Sequence, residues 1–296
     1  MEGNLHAVIL DADGVADEEM ARLSRRLRLS ETSFVQGATA PEASYRHRIW
    51  TVAGEIPFAG HPSIGTAVSV AIERGLQRAD FVQQTPVGLQ ALHVSIAADS
   101  QAGTATLVQG PLVLGAVVDP GPILIAFGLQ PTDAHPDLPA QLVSTGLESL
   151  VLPVRDIPTL GRARMDPVAV RAALTPITDP DRLNCYFVTP LDALTWRARS
   201  LALDIAGWED PATGSAAGPF GAWLSQLGGP SRITVLQGVE MGDPSRIEVD
   251  VSDGIVIGGR VLVRSIGTIE LEDDRPEIAE GVSADRATTG TARNTR

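Results

Sequence analysis

Hydrophobic residues alternate with polar ones in some stretches of the chain and recur every three or four positions in others. Helical spacing predicts a first helix capped by Asp17 and a second over residues 60–74, which Gly75 ends. Alternation and short apolar runs predict strands between and after these helices. The strands predicted in the first half cover residues 5–10, 31–35, 45–52, 92–97, 104–108 and 113–118.

The second half partly repeats this order of elements. Helices are predicted over residues 123–127, 167–174 and 214–227, and the sequence Gly228-Gly229-Pro230 ends the last of them. Strand clusters with few helices between them are typical of an α+β fold. The strands predicted here cover residues 141–144, 149–154, 185–189, 196–202, 233–237, 246–251 and 259–266.

Two short segments about half a chain apart share the pattern Pro-x-x-Gly-Ser/Thr-Ala. They are residues 62–67 (PSIGTA) and 211–216 (PATGSA), and each lies at the start of a predicted helix. Small residues are common at helix starts. The segments alone therefore leave both a duplication and a chance similarity open.

Composition excludes several classes of chemistry. The chain has 296 residues and a formal net charge of −13, which disfavours binding to nucleic acids and to anionic membranes. All its basic side chains are Arg, so Schiff-base and lysine-anchored cofactor chemistry is excluded. The single cysteine, Cys185, rules out an internal disulfide and a two-thiol racemase mechanism.

No stretch of the chain has the character of a leader or of a membrane span. The N-terminal segment lacks a basic region, and Asp11 and Asp13 follow its short apolar run. Asp119, Pro120 and Gly121 interrupt the longest apolar stretch, residues 112–129, which favours two buried strands around a turn. These features predict a cytoplasmic protein with no membrane partner.

Candidate chemistry lies at the two glycine-marked helix starts. Backbone N–H groups and the helix dipole favour a carboxylate or a phosphate there. His61 lies beside one start, and Glu209 and Asp210 lie beside the other. The alternative is that Asp210 caps its helix and His61 packs in a loop.

Glu31 lies where the first helix gives way to a strand. Such a junction is often polar for solvation alone, which makes Glu31 a surface acid. If the strand instead runs into a cleft, desolvation would raise the pKa of Glu31 toward the range useful for general acid and base catalysis.

Four segments together resemble motifs of the PhzF-like isomerase family, in the family's order and spacing. The resemblance covers residues 3–270. Its segments are LSETSFV at 29–35, EIPFAGHPSIGTA at 55–67, EDPATGSAAG at 209–218 and QGVEMGDPSRI at 237–247, followed by the Gly-Gly strand at 258–259.

The resemblance implies a diaminopimelate-epimerase-like α+β fold. In this fold two similar domains each wrap a sheet round a central helix, and it favours duplication for the repeated Pro-x-x-Gly segment. The implied domains are residues 1–115 with 258–272 and residues 116–257, followed by a disordered tail at 273–296. The resemblance also suggests a homodimer.

The family pattern implies cofactor-free isomerisation of a small unsaturated amino or hydroxy carboxylic acid, as in natural-product pathways. Glu31 would shuttle the proton, with His61 and Asp210 as polar partners. Two alternatives stay open, an epimerase that uses Glu31 and Asp210 on opposite faces, and a non-catalytic small-acid binding protein. The implied substrate-binding residues are Ser30, Gly60, Gly214 and Ser215, and Gly60, His61, Gly214 and Ser215 at the helix starts would hold the carboxylate or stabilise developing negative charge.

The sequence departs from the family pattern near its start. Family members have another strand before the Gly3-Asn4 pair, and Leu5 stands where proline is usual. The other histidines, His6, His47, His93 and His135, lack metal-ligand spacing, so no metal and no cofactor are expected.

Overall fold

A computed structural model describes residues 3–98, 101–203 and 208–269. The described residues up to Ser265 form one compact unit. The described helices are α1 (Asp17–Leu27), α2 (Gly60–Glu73), α3 (Pro120–Ala126), α4 (Ile157–Arg162), α5 (Pro167–Leu174) and α6 (Gly214–Gln226).

The strands of the described part form a mixed sheet, which confirms the α+β class. In chain order they are β1 (Ala7–Ile9), β2 (Thr32–Gln36), β3 (Tyr45–Trp50), β4 (Glu55–Ile56), β5 (Arg78–Thr85), β6 (Gly88–Ile96), β7 (Ala102–Val108), β8 (Val113–Val118), β9 (Ala140–Ser144), β10 (Glu148–Pro153), β11 (Asn184–Pro190), β12 (Thr195–Ala202), β13 (Glu209–Asp210), β14 (Arg232–Gln237), β15 (Ser245–Asp250) and β16 (Val256–Leu262).

The sheet is continuous from β1 at one edge to β8 at the other. Its order is β1-β2-β3-β5-β6-β7-β16-β15-β14-β12-β11-β10-β9-β8, with β4 beside β3 and β13 beside β12. Strand β16 joins the two halves, since Gly258 pairs with Thr106 of β7 on one side and with Glu248 of β15 on the other. The domain division predicted from the sequence stays a prediction, and its tail lies outside the described residues.

The two glycine-marked helices lie in the core of the sheet. Helix α2 packs on β6, β7 and β16, and α6 packs on β9, β15 and β16. Their buried side chains share one apolar cluster with Ile257 of β16, which includes Val68 of α2 and Phe220 of α6. Burial on nearly all sides explains why both helices are apolar and rich in small residues.

Several element predictions were incomplete. Helix α1 begins at Asp17, and its N-cap is Ala16 rather than Asp17. Strand β5 and helix α4 were not predicted. Residues 112–129 form strand β8 and helix α3, which agrees with the strand predicted over 113–118 and the helix predicted over 123–127 but not with two buried strands around a turn. Asp119 caps α3 by accepting a hydrogen bond from Gly121 N.

Strand β8 is exposed rather than buried. Val113 and Val117 keep 61% and 62% of their surface in solvent, and β9 is the partner of β8 in the described sheet. Among the described residues, no helix is both long enough and apolar enough to cross a bilayer.

Candidate active site

Helices α2 and α6 begin against each other. A Cβ placed on Gly60 would lie 2.9 Å from Gly214 Cα and 3.2 Å from Ile257 Cδ1. The N-cap residues, Ala59 and Thr213, provide no side-chain hydrogen bond to the first turn of either helix. Two helix N-termini that meet without side-chain caps form an electropositive site suited to an anion.

Glu31 and His61 meet beside this junction. Glu31 immediately precedes β2, and His61 is the second residue of α2. Glu31 Oε2 lies 3.2 Å from His61 Nε2, and the side chains are only 15% and 16% exposed. In the described part of the chain, neither of these two buried atoms has a hydrogen-bond partner of ordinary geometry. Both atoms can therefore still form a hydrogen bond to a ligand.

Asp210 enters the same site from the other half of the chain. It lies on β13, which pairs with β12 through the register of Ser200 with Asp210. Its Oδ2 accepts a hydrogen bond from Thr213 Oγ1 at 2.5 Å. Its backbone carbonyl accepts another from Gln237 Nε2 at 2.7 Å. The side chain and the backbone of Asp210 are thus each held by one of these hydrogen bonds.

A buried ion pair anchors the strand that carries Asp210. Arg199 Nε and Nη2 donate to the two carboxylate oxygens of Glu209 at 2.8 and 2.7 Å. Arg199 Nη1 also donates to the carbonyl oxygens of Leu160 and Ala163. Since side chains alternate along a strand, holding Glu209 on one face directs Asp210 to the other.

The four predicted substrate-binding residues lie around these groups. Gly60 and Gly214 form the helix junction, and Ser215 is the second residue of α6, where it is partly exposed. Ser30 donates its hydroxyl hydrogen to Asn4 Oδ1 at 2.8 Å. Their roles toward a substrate stay predictions.

Sequence reasoning missed Asn4 as a member of the site. Asn4 Nδ2 lies 2.5 Å from Asp210 Oδ1 and 3.2 Å from His61 Nδ1, so it connects side chains that are far apart in sequence. The Gly3-Asn4 pair belongs to the family pattern, and this was the available signal.

His6 was also missed, because its spacing to other histidines suggested only a scattered residue. Its ring lies edge-on to the ring of His61, with 5.6 Å between centroids. His6 Nε2 is buried and has no hydrogen-bond partner among the described residues. A Cβ on Gly65 of α2 would lie 2.1 Å from His6 Cε1, so the ring occupies the space that this glycine leaves.

The electrostatics of Glu31 differ from the sequence prediction. Burial alone would raise its pKa, but the charge and proximity of His61, with smaller contributions from Ser30 and His6, hold the pKa below its ordinary value. The rise expected from desolvation was therefore wrong in direction. Glu31 is a carboxylate near neutral pH, ready to act as a base.

His61 and Asp210 both bind protons more tightly than usual. Burial acts to lower the pKa of His61, but Glu31, Asp210 and the Ala212 carbonyl outweigh it and raise that pKa. Burial raises the pKa of Asp210, with a further rise from Glu31, against opposing contributions from His61 and Thr213. The site thus combines a low-pKa carboxyl group with a high-pKa one, which is the arrangement of a base beside an acid.

No metal cluster accompanies these groups in the described part of the chain, where no three His, Cys, Asp or Glu side chains are arranged to hold an ion.

Over residues 1–265 the chain matches the PhzC-PhzF family model, described as phenazine biosynthesis-like protein. The chain belongs to the PhzF family. Its enzyme class is isomerase, as in the relatives of this family.

The family assignment rests on relatives of similar length. The chain is 33% identical over 262 residues to trans-2,3-dihydro-3-hydroxyanthranilate isomerase of Pseudomonas aeruginosa, covering 83% of this chain and 84% of that protein. A solved structure described as a predicted epimerase from the same organism is 32% identical, with a TM-score of 0.75 and coverage of 90% and 95%.

A more distant structure supports the fold alone. A probable proline racemase from Agrobacterium radiobacter is 12% identical, with a TM-score of 0.61 and coverage of 93% and 92%. The PhzF-family chain therefore has the diaminopimelate-epimerase-like α+β fold that the motifs implied.

Proposed function

We propose that this PhzF-family protein is a cofactor-independent isomerase that moves a proton between carbons of a small unsaturated amino or hydroxy carboxylic acid in natural-product biosynthesis. The observation that carries this proposal is the pair Glu31 Oε2 and His61 Nε2. The two atoms are buried, lie 3.2 Å apart and have no other partner among the described residues, beside two uncapped helix starts.

The geometry supports a proton shuttle by one carboxyl group. The substrate carboxylate binds at the N-termini of α2 and α6, near Gly60, Gly214 and Ser215. The Glu31 carboxylate removes a proton from an activated carbon, and the electron pair left behind spreads through the adjacent double bond. Protonated His61 and the helix dipoles stabilise this negative charge.

The same proton returns to a different carbon of the conjugated system. Glu31, now protonated, donates it there and becomes a carboxylate again, so the enzyme ends the cycle unchanged. One carboxyl group suffices, because proton removal and return take place on one face of the substrate. The name of the Pseudomonas aeruginosa relative, an isomerase of an unsaturated amino hydroxy acid, supports this substrate class.

A second candidate is epimerisation with Glu31 as the base and Asp210 as the acid on the opposite face. The opposite directions of their pKa shifts favour it, since a low pKa suits the base and a high pKa suits the acid. Inversion at one carbon requires groups on both faces, and this pair lies on different halves of the chain.

Proton NMR in D₂O tests both candidates directly. Trans-2,3-dihydro-3-hydroxyanthranilate and a panel of cyclic and acyclic unsaturated amino and hydroxy acids are offered to wild type, Glu31→Gln and the exposed-site control Glu148→Gln. We expect deuterium at a carbon distant from the deprotonated one, lost in Glu31→Gln and retained in Glu148→Gln.

Two outcomes would redirect the proposal. Deuterium at a stereocentre with inversion, lost in both Glu31→Gln and Asp210→Asn, would establish the epimerase. Saturable binding without any exchange would favour a non-catalytic small-acid binding protein.

The homodimer and the cytoplasmic location stay predictions. Sedimentation analysis tests whether the protein is a homodimer.

A further inference from the structure

Asn4 lies between the two titratable groups that come from different halves of the chain. Its Nδ2 lies 2.5 Å from Asp210 Oδ1 and 3.2 Å from His61 Nδ1. Its Oδ1 accepts a hydrogen bond from Ser30 Oγ at 2.8 Å. A single carboxamide thus contacts the acid, the imidazole and the segment that carries Glu31.

In this orientation the carboxamide fixes the protonation of both neighbours. An NH₂ group has two hydrogens and no acceptor, so it serves a carboxylate at Asp210 and an unprotonated Nδ1 at His61. The single proton of a neutral His61 then lies on Nε2, which faces Glu31 Oε2 at 3.2 Å. This orientation belongs to the state in which both Asp210 and His61 lack their titratable proton.

A protonated His61 requires the opposite orientation. Its Nδ1–H would face the NH₂ of Asn4, which cannot accept, whereas a half-turn of the carboxamide brings Oδ1 to that place. The same Oδ1 then faces Asp210 Oδ1, and these two oxygens form a hydrogen bond only if Asp210 carries a proton. Nδ2 moves to Ser30 Oγ, which can accept from it.

We infer that Asn4 is a positioning residue that couples the protonation of His61 to that of Asp210. Each orientation of the carboxamide satisfies both neighbours in one state, doubly unprotonated or doubly protonated. A state with one proton leaves Asn4 facing one donor and one acceptor, so either orientation of the carboxamide leaves one of them without a partner, and a buried polar group without a partner is costly.

The charges facing this cluster favour the doubly protonated state. With Glu31 as a carboxylate, the unprotonated state has two negative charges in a buried site, whereas the doubly protonated state has net charge zero. Burial lowers the pKa of His6 to about 3 and that of His47 to about 4, and it raises the pKa of Tyr186, so these groups stay neutral near pH 7. Uncharged polar groups of Ser30, Ala212, Thr213 and Gln237 also face the cluster.

The coupling has a consequence that rests on the proposed function. An anionic substrate enters a neutral cluster more readily than a doubly negative one. Its binding therefore selects the state in which Asp210 holds a proton and Glu31 is a carboxylate. The orientation of Asn4 in which Oδ1 faces His61 and Asp210 thus accompanies both the basic form of Glu31 and the acidic form of Asp210.

The test is an NMR pH titration of the protein without substrate, so its result does not depend on turnover. The ¹⁵N shifts of the His61 ring report which nitrogens carry protons, and the ¹³C shift of the Asp210 carboxyl reports its protonation; His61→Gln and Asp210→Asn provide the assignments. We expect wild-type His61 and Asp210 to titrate at one common midpoint, with curves steeper than that of a single proton.

Asn4→Ala should separate the two midpoints by about 1 pH unit or more and return each curve to the slope of one proton. Asn4→Asp has the same shape but places a carboxylate oxygen toward His61 Nδ1 in either orientation, so it should raise the His61 midpoint. Gln84→Ala removes a carboxamide that binds the 39–40 backbone outside this network, and it should leave the wild-type curves unchanged.

Two results would overturn the inference, namely separate midpoints for His61 and Asp210 in wild type or a common midpoint that persists in Asn4→Ala. Circular dichroism establishes that each variant is folded. If Asn4→Ala does not fold, the His61 midpoint of Asn4→Asp tests the inference instead. Coupled titration without proton exchange on any substrate would contradict the proposed function and leave this inference standing.

Discussion

Gly60 and Gly214 touch each other at the N-termini of the two central helices. A Cβ on Gly60 would lie 2.9 Å from Gly214 Cα, and a Cβ on Gly214 would lie 2.5 Å from Ile257 Cδ1. The first contact is with backbone, which cannot rotate away as a side chain can. Glycine at these positions therefore sets the distance between the half of the chain that carries His61 and the half that carries Asp210.

Gly60→Ala should separate the two helix starts. We expect it to lower the free energy of unfolding by about 1–3 kcal/mol, as for other overpacked sites, and to reduce turnover at least tenfold. Urea denaturation and the D₂O exchange assay measure the two effects. Gly161→Ala is the matched control, because a Cβ there would meet nothing within 4 Å. Equal activity in the two variants would contradict the role of the contact.

The effect of Gly65→Ala on the free energy of unfolding should change sign when the His6 ring is removed. Gly65→Ala alone should destabilise the protein by about 1–3 kcal/mol, because the new Cβ would lie 2.1 Å from His6 Cε1. In a His6→Ala background the same substitution should stabilise helix α2 by up to about 1 kcal/mol, since alanine favours helix over glycine. Urea denaturation of the four proteins measures the cycle, and an effect of the same sign in both backgrounds would refute the contact.

Arg199→Met should leave Glu209 buried without its partner. We expect a loss of about 3–5 kcal/mol in the free energy of unfolding, and Arg199→Met with Glu209→Gln should recover part of it. Arg171→Met breaks the exposed pair with Asp181, and it should lower the free energy of unfolding far less than Arg199→Met does, because solvent screens an exposed ion pair. A loss for Arg199→Met as small as that for Arg171→Met would contradict the anchoring of β13.

Acidification should destabilise the protein through His6. Its pKa in the folded protein, about 3, is below the 6.5 of an unperturbed histidine, because burial and His61 disfavour its charge. Between these two values the unfolded chain binds the extra proton, so stability falls with decreasing pH by up to about 1.4 kcal/mol per pH unit. Urea denaturation from pH 7 to 4 measures this slope.

His6→Leu should make that slope shallower, since a leucine binds no proton in either state. His93→Leu, which removes an exposed imidazole, is the matched control for the loss of a histidine. An identical slope in wild type and His6→Leu would show that His6 is protonated in the folded protein.

The local sequence pattern predicted the bounds or the first residue of several elements. Strand β8 and helix α5 have the predicted bounds, and α2 and α6 begin at the predicted glycines. Strand β5, Arg78–Thr85, was missed because its side chains are polar at most positions, and its burial alternates only once β3 and β6 lie beside it. Packing, which the pattern does not contain, decided that element.

The sequence by itself determined that two small-residue helices begin at glycines, that lysine and two-thiol chemistry are absent, and that Glu31, His61 and Asp210 are the candidate chemical groups. Tertiary structure alone decided that Asn4 connects His61 to Asp210, that His6 fills the space at Gly65, and that the pKa of Glu31 falls rather than rises. These outcomes depend on contacts between residues far apart in sequence. The direction of a pKa shift follows from which charge lies within a few ångströms, and only the folded chain fixes that distance.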